Sequence, residues 1–89
     1  MTTHKTAQEL NNELHKAARQ VEVGALYAHY KDADMVYEVT GLAIWEATNE
    51  ICVIYQAQYG NHFTFARALA VWQEEVEWRG QKVPRFIKI

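Results

Sequence analysis

The spacing of apolar residues changes near residue 22. Before it, Ala7, Leu10, Leu14, Ala17, Ala18 and Val21 recur three and four positions apart. That period lays them along one stripe and predicts an amphipathic helix over residues 6–20. Thr6 and Glu9 have capping-box spacing, so each side chain can satisfy a free backbone N–H at the helix start. The stripe is narrow and rich in alanine, and a helix this short is marginal in isolation. It needs a surface, supplied either by the rest of its own chain or by a second subunit.

From Val23 the pattern becomes that of strands. Residues 25–30, 35–45 and 51–59 are rich in Tyr, Val, Ile and Trp and are parted by polar turns at 31–34 and 46–50. Met35, Tyr37 and Val39 alternate with Val36, Glu38 and Thr40. Gly41 then interrupts the run, and Leu42 and Ile44 take up the opposite phase, the mark of a bulge or sharp bend. Ile51, Cys52, Val53 and Ile54 are apolar in succession, as in a central strand covered on both faces. Tyr59, Gly60, Asn61 and His62 form a turn, after which residues 63–67 pair again. Leu69 and Trp72 fall three apart, which fits a helical turn within 68–73. Val76 and Trp78, the turn at Arg79–Gly80 and Val83 make a last hairpin, with Pro84 at its edge or end. Five or so short strands cannot build a large sandwich, but they can close a small barrel and so remove exposed edges. The expected fold is mainly β: a small SH3-like barrel over residues 23–89 behind an N-terminal helical extension over 1–22. Leu26, Val39, Ile51, Val53, Leu69 and Val76 are its expected core.

Composition narrows the function more than it identifies it. At 89 residues, with 49% hydrophobic residues, the chain can bury one core. A net charge of −2 offers no field for nucleic acid or an anionic membrane. The four cations after Glu77 (Arg79, Lys82, Arg85, Lys88) follow Glu74, Glu75 and Glu77 closely enough to be partly cancelled. A single cysteine excludes an intramolecular disulfide, there is no long apolar run for a membrane helix, and the polar N-terminus lacks a signal-peptide core, so a cytoplasmic protein is expected.

The run Gly24-x-x-Tyr27-x-His29-Tyr30-Lys31, then Tyr37-Glu38-Val39-x-Gly41-x-Ala43, resembles the bacterial domain-of-unknown-function family 1653. The similarity continues through Thr48, Glu50, Val53, Tyr55 and Tyr59-Gly60. It ends on Phe65-x-Arg67, Gly80 and Val83-Pro84-Arg85-Phe86, and so spans residues 24–86 in order. Two positions depart from the family pattern: Ala68, where Pro often follows the arginine, and Trp72, where Phe is favoured. The resemblance implies an SH3-like barrel and carries no activity with it. It begins after the first helix, so the barrel is expected to close without that helix. On that ground Leu10, Leu14 and Ala17 are expected to dock on apolar surface of another copy.

Candidate chemistry lies mainly in the matched motifs. Tyr27 and His29 share a strand face by i, i+2 spacing. Tyr55 and Gln56 stand where the third strand turns from apolar to mixed. Arg67 offers planar donors suited to a carboxylate or phosphate. These five residues form the candidate ligand-binding patch, for a peptide, nucleotide or small metabolite. The alternative is structural: barrel tyrosines commonly pack through their rings and bond through their hydroxyls, and Arg67 could pair with Glu38. His29 has no evident orienting partner for acid–base work. His4, His15, His29 and His62 lack metal-ligand spacing. Cys52, among Ile51, Val53 and Ile54, reads as a buried, unreactive thiol. With no phosphate-binding loop, serine nucleophile motif or CxxC pair, the sequence argues against an enzyme and implies no cofactor. Two readings follow: a non-catalytic binding module, or an interaction protein assembled through its helix.

Overall fold

Thr6 caps the first helix as its spacing with Glu9 predicts. In the computed structural model, which describes residues 5–89, helix α1 spans Ala7–Gln20. The Glu9 N–H donates to Thr6 Oγ1 at 3.1 Å, and the Thr6 N–H donates to Glu9 Oε1 at 3.2 Å. The stripe then meets the chain's own β structure. Ala17 and Val21 are each 1% exposed, and Val21 joins the main core. Ala17 is therefore part of this chain's interior and not of a surface offered to another copy. Leu10 and Leu14 are half-buried. His4 lies outside the described residues.

Seven strands follow: β1 Leu26–His29, β2 Asp32–Trp45, β3 Glu50–Ala57, β4 Thr64–Ala68, β5 Glu75–Trp78, β6 Gln81–Pro84 and β7 Phe86–Lys88, with a one-turn helix α2 at Leu69–Trp72. All pairings are antiparallel. The main sheet runs β4-β3-β2-β1-β7, and β5-β6 form a separate hairpin. The mainly β architecture is thus the one expected, but backbone hydrogen bonds do not close it into a barrel, since β4 and β7 do not pair. The sheet nevertheless curls strongly. The outer strands of a flat five-stranded sheet would lie about 19 Å apart, whereas the Arg67 guanidinium of β4 sits 5.4 Å from the Phe86 ring centre of β7.

Gly41 does what its place in the pattern predicts. The β2–β3 register shifts between Val39 and Gly41, so that Val39 opposes Tyr55 and Leu42 opposes Val53. The inward phase passes from odd to even positions across this bulge without turning the apolar residues outward. β3 lies between β2 and β4, with Val53 fully buried and Cys52 7% exposed. The hairpin turn places Arg79 (φ 54°) and Gly80 (φ 80°) between paired Trp78 and Gln81. Two positive φ values are what a two-residue turn needs to match the strand twist.

Three expectations need correction. Leu26 is 40% exposed and not core, because Tyr27 takes the inward phase of β1 and Leu26 opposes Glu38 on the outer face. Val76 is only half-buried, in a hairpin that stands apart from the main sheet. The first turn is shorter than expected: β2 already begins at Asp32, whose carboxylate accepts from the Asp34 N–H at 2.9 Å. Val39, Ile51 and Val53 are buried as expected, and Leu69 packs half-buried against them. Ala68 has φ −56°, within the range a proline ring imposes, so the family's frequent proline fits the same backbone.

Candidate functional site

Strand alternation decides which candidate residues can meet. Tyr27 opposes Tyr37, Val39 opposes Tyr55, Val53 opposes Arg67, and His29 opposes Phe86. Residues opposite one another share a sheet face. Tyr27, His29, Tyr55 and Arg67 therefore lie on the inner face. Gln56 does not: it opposes Glu38 and Thr64 on the outer face, and its amide donates to the His62 carbonyl at 3.2 Å. β3 has no bulge that could bring Tyr55 and Gln56 together, so Gln56 leaves the patch.

Phe86 is the centre of this face. Its ring stacks on Trp72 at 3.9 Å and 9°, and the rings of Tyr37, Tyr55 and His29 approach it at 5.8, 5.7 and 5.6 Å. Edge-to-face contacts of this kind set the negative ring face against a positive edge. Tyr27 is 7% exposed; it packs on Trp72 and its hydroxyl accepts from the Glu22 N–H at 3.0 Å. It ties the end of α1 to the sheet and is a packing residue. Tyr55 is also buried, and its hydroxyl accepts from Arg67 Nε at 3.2 Å.

Arg67 is thus held from two sides, by Tyr55 and by the Phe86 ring. Its Nη groups have no hydrogen-bond or ion-pair partner among the described residues. Glu38, the carboxylate that could have paired with it, lies on the outer face. His29 is half-buried, and its Nδ1 accepts from the Lys31 N–H at 3.2 Å, which places the neutral ring's proton on Nε2. Burial, followed by the positive charges of Arg67, Lys31 and Arg85, holds the His29 pKa below its ordinary value against the weaker pull of Asp32. Arg85 reaches Glu74 only at 3.7 Å, and its buried Nε has no partner. Beside them the Tyr37 and Tyr59 hydroxyls share a 2.6 Å hydrogen bond. Burial and that bond push the Tyr37 hydroxyl well above the ordinary tyrosine pKa.

The sequence reading missed Tyr37, Arg85 and Phe86. Their signals were present: Tyr37 stands in phase with Val39, and Arg85-Phe86 closes the last matched motif. The strand after Pro84 leaves no pattern in the sequence, because only three residues form it.

A groove lies elsewhere on the molecule, on the helix side. It has a volume of about 300 Å³ and runs between α1 and α2 over the start of β3, lined by Glu13, Lys16, Gln20, Ile51, Leu69 and Ala70 among others. None of the five candidate residues lines it. Burial pushes the Cys52 thiol pKa up, with Glu50 adding to the effect, which keeps the thiol protonated. Among the described residues no cluster of His, Cys, Asp or Glu could hold a metal ion, and no helix is long and apolar enough to cross a membrane.

Residues 25–88 match a family described as protein of unknown function (DUF1653). The fold is similar to a crystal structure of a protein of that family from Bordetella bronchiseptica, with TM-score 0.67 and 30% sequence identity, over 79% of this chain and 90% of the other. No curated protein matches the chain.

Proposed function

This chain belongs to the DUF1653 family, and from that premise we propose that it is a non-catalytic binding module whose ligand meets the aromatic and arginine-lined inner face. Arg67 is the polar anchor. One observation carries the reading: Arg67 is fixed through Nε and its ring contact, yet its Nη donors are left unused. An arginine spent on structure would normally pair with a carboxylate, and Glu38 stands one residue from the inward-facing Tyr37. The fold instead turns Glu38 outward and holds the guanidinium among rings. A fixed guanidinium loses little freedom on binding, which favours recognition. Half-buried His29 supplies the adjoining surface; Tyr55 and Phe86 are the buried floor beneath the guanidinium, and Tyr27 packs below them.

The test is a thermal-shift screen of nucleotides, metabolites and short peptides on wild type and Arg67→Ala. A ligand at a hundred times its Kd should raise the wild-type Tm by about 10–20 °C. The shift should vanish in a folded Arg67→Ala protein. An equal shift in both proteins would place the binding elsewhere.

A further inference from the structure

We propose that the inner face recognises an oxyanion group of its ligand, a carboxylate or phosphate, through the Nη donors of Arg67 with His29 and Arg85 alongside. This rests on the binding-module reading and adds the chemical class of the ligand.

The argument is one of unmatched donors. Arg67 and His29 both contact the ring of Phe86, and Arg85 is the next residue along the chain. The Arg85 carbonyl accepts from the Tyr30 N–H at 3.1 Å, which ties Arg85 to the end of β1 beside His29. Arg67 and His29 thus border one aromatic face, and Arg85 lies near enough to His29 to act on it electrostatically. Their donors are largely unspent among the described residues. Both Nη groups of Arg67 lack a partner, His29 Nε2 has none, and Arg85 Nε is buried without one. Of these donors Arg85 Nε alone is buried, and a buried donor left unpaired is costly and calls for an explanation. Carboxylates are not scarce in this chain, which has 11 acidic residues against nine Lys and Arg. Glu13 pairs instead with Lys5, and Glu22 with Lys88, which stands opposite Tyr27 two residues along β7 from Phe86. Glu74 stands beyond hydrogen-bond distance from Arg85, and Asp32, opposite His29 in the β1–β2 register, accepts from the Asp34 N–H instead. An oxyanion would complete the arrangement: its oxygens match the fork of Arg67, and such charge-assisted bonds are the stronger kind. Phe86 and Tyr55 beneath the guanidinium keep it partly dehydrated, which strengthens its attraction for an anion.

The probes are inorganic phosphate and acetate, each titrated into the full chain at constant ionic strength set with sodium chloride. The readout is the NMR signal of the arginine Nε–H groups and of the His29 ring. A saturable shift at Arg67 with either probe is expected, and saturation with phosphate alone or acetate alone identifies the preferred oxyanion. Arg67→Gln should weaken that binding roughly tenfold or more. Arg67→Lys, which keeps the charge and loses the fork, should weaken it less, while Lys16→Gln in the helix groove should leave it unchanged. Shifts that grow linearly without saturating in wild type, or equal affinity in wild type and Arg67→Gln, would overturn the proposal. If neutral compounds give an Arg67-dependent thermal shift while both anions fail to saturate, the binding-module reading stands and the oxyanion does not. If no compound shifts the protein in an Arg67-dependent way, both fail.

Discussion

The two sides of this small protein treat charge in opposite ways. Beside α1 two cations find carboxylates: Lys5 bonds both oxygens of Glu13 at 2.9 Å, and Lys88 meets Glu22 at 3.1 Å. Gln73 of α2 also donates to Gln20 of α1, at 3.0 Å. On the inner face Arg67 and His29 meet the Phe86 ring with Arg85 nearby, and most of their donors have no hydrogen-bond partner among the described residues. Both regions belong to one fold and share the core residues Val21, Tyr27 and Trp72. The contrast therefore reflects what each surface meets. Lys5 and Lys88 are paired within the chain, whereas the Arg67 Nη groups and His29 Nε2 have no partner among the described residues, which is what the proposed binding role rests on. A groove alone marks space, while oriented and unpaired donors mark chemistry.

The junction of the two regions should be the most sensitive point. Trp72 is 4% exposed, stacks on Phe86 and touches Tyr27 and Tyr55. Trp72→Ala should cost about 3–5 kcal/mol in urea unfolding, from lost burial and the cavity left behind. A loss below about 1 kcal/mol would mean that the two regions do not share a core. Thr6→Ala removes the cap of α1 alone and should cost about 1 kcal/mol. The Arg67 and His29 NMR signals should not move in that variant; if they move, the helix side and the inner face are coupled. Lys88→Ala breaks a pair whose partners are both more than half exposed. It should cost at most about 1 kcal/mol and less in high salt, and a larger, salt-independent loss would contradict a solvated pair.

The smallest effect is with pH and belongs to the inner face. His29 has a folded pKa below its ordinary value of 6.5. Between the two values the unfolded chain binds more protons, so stability should fall as pH drops below about 6.5 and level off once the folded ring is also protonated. Burial of the ring sets this first; the charges that add to it are Arg67 on β4, Lys31 in the turn and Arg85 before β7, with Asp32 on β2 opposing them. His29→Gln should flatten the slope of unfolding free energy between pH 7 and pH 5.5, and an unchanged slope would exclude His29 as its source. A bound oxyanion reverses the local field, so phosphate or acetate should bind more tightly as the ring takes up its proton.

The local rules carried much of the fold. Thr6 and Glu9 located the helix start, Gly41 the bulge and Arg79–Gly80 the hairpin, because each is fixed by nearby backbone geometry. Leu26 misled, because a four-residue strand gives too few alternations to set its phase and only packing against Tyr37 decides that Tyr27 points inward. The candidate site was half legible. Tyr27, His29, Tyr55 and Arg67 did gather on one face, but Gln56 could not, since adjacent strand residues diverge unless a bulge intervenes. Phe86 was hidden for a different reason. Its role depends on the curl that brings β7 towards β4, a long-range property that no run of neighbouring residues encodes.

The central claim is that the inner face, and not the helix groove, is where this protein binds. Amide NMR mapping of the full chain with a hit from the thermal-shift screen tests it most directly. The account predicts that the largest shifts fall on His29, Arg67, Arg85 and Phe86, while Lys16, Gln20 and Ala70 stay still. Shifts concentrated on Lys16, Gln20, Leu69 and Ala70, with Arg67 unmoved, would contradict it.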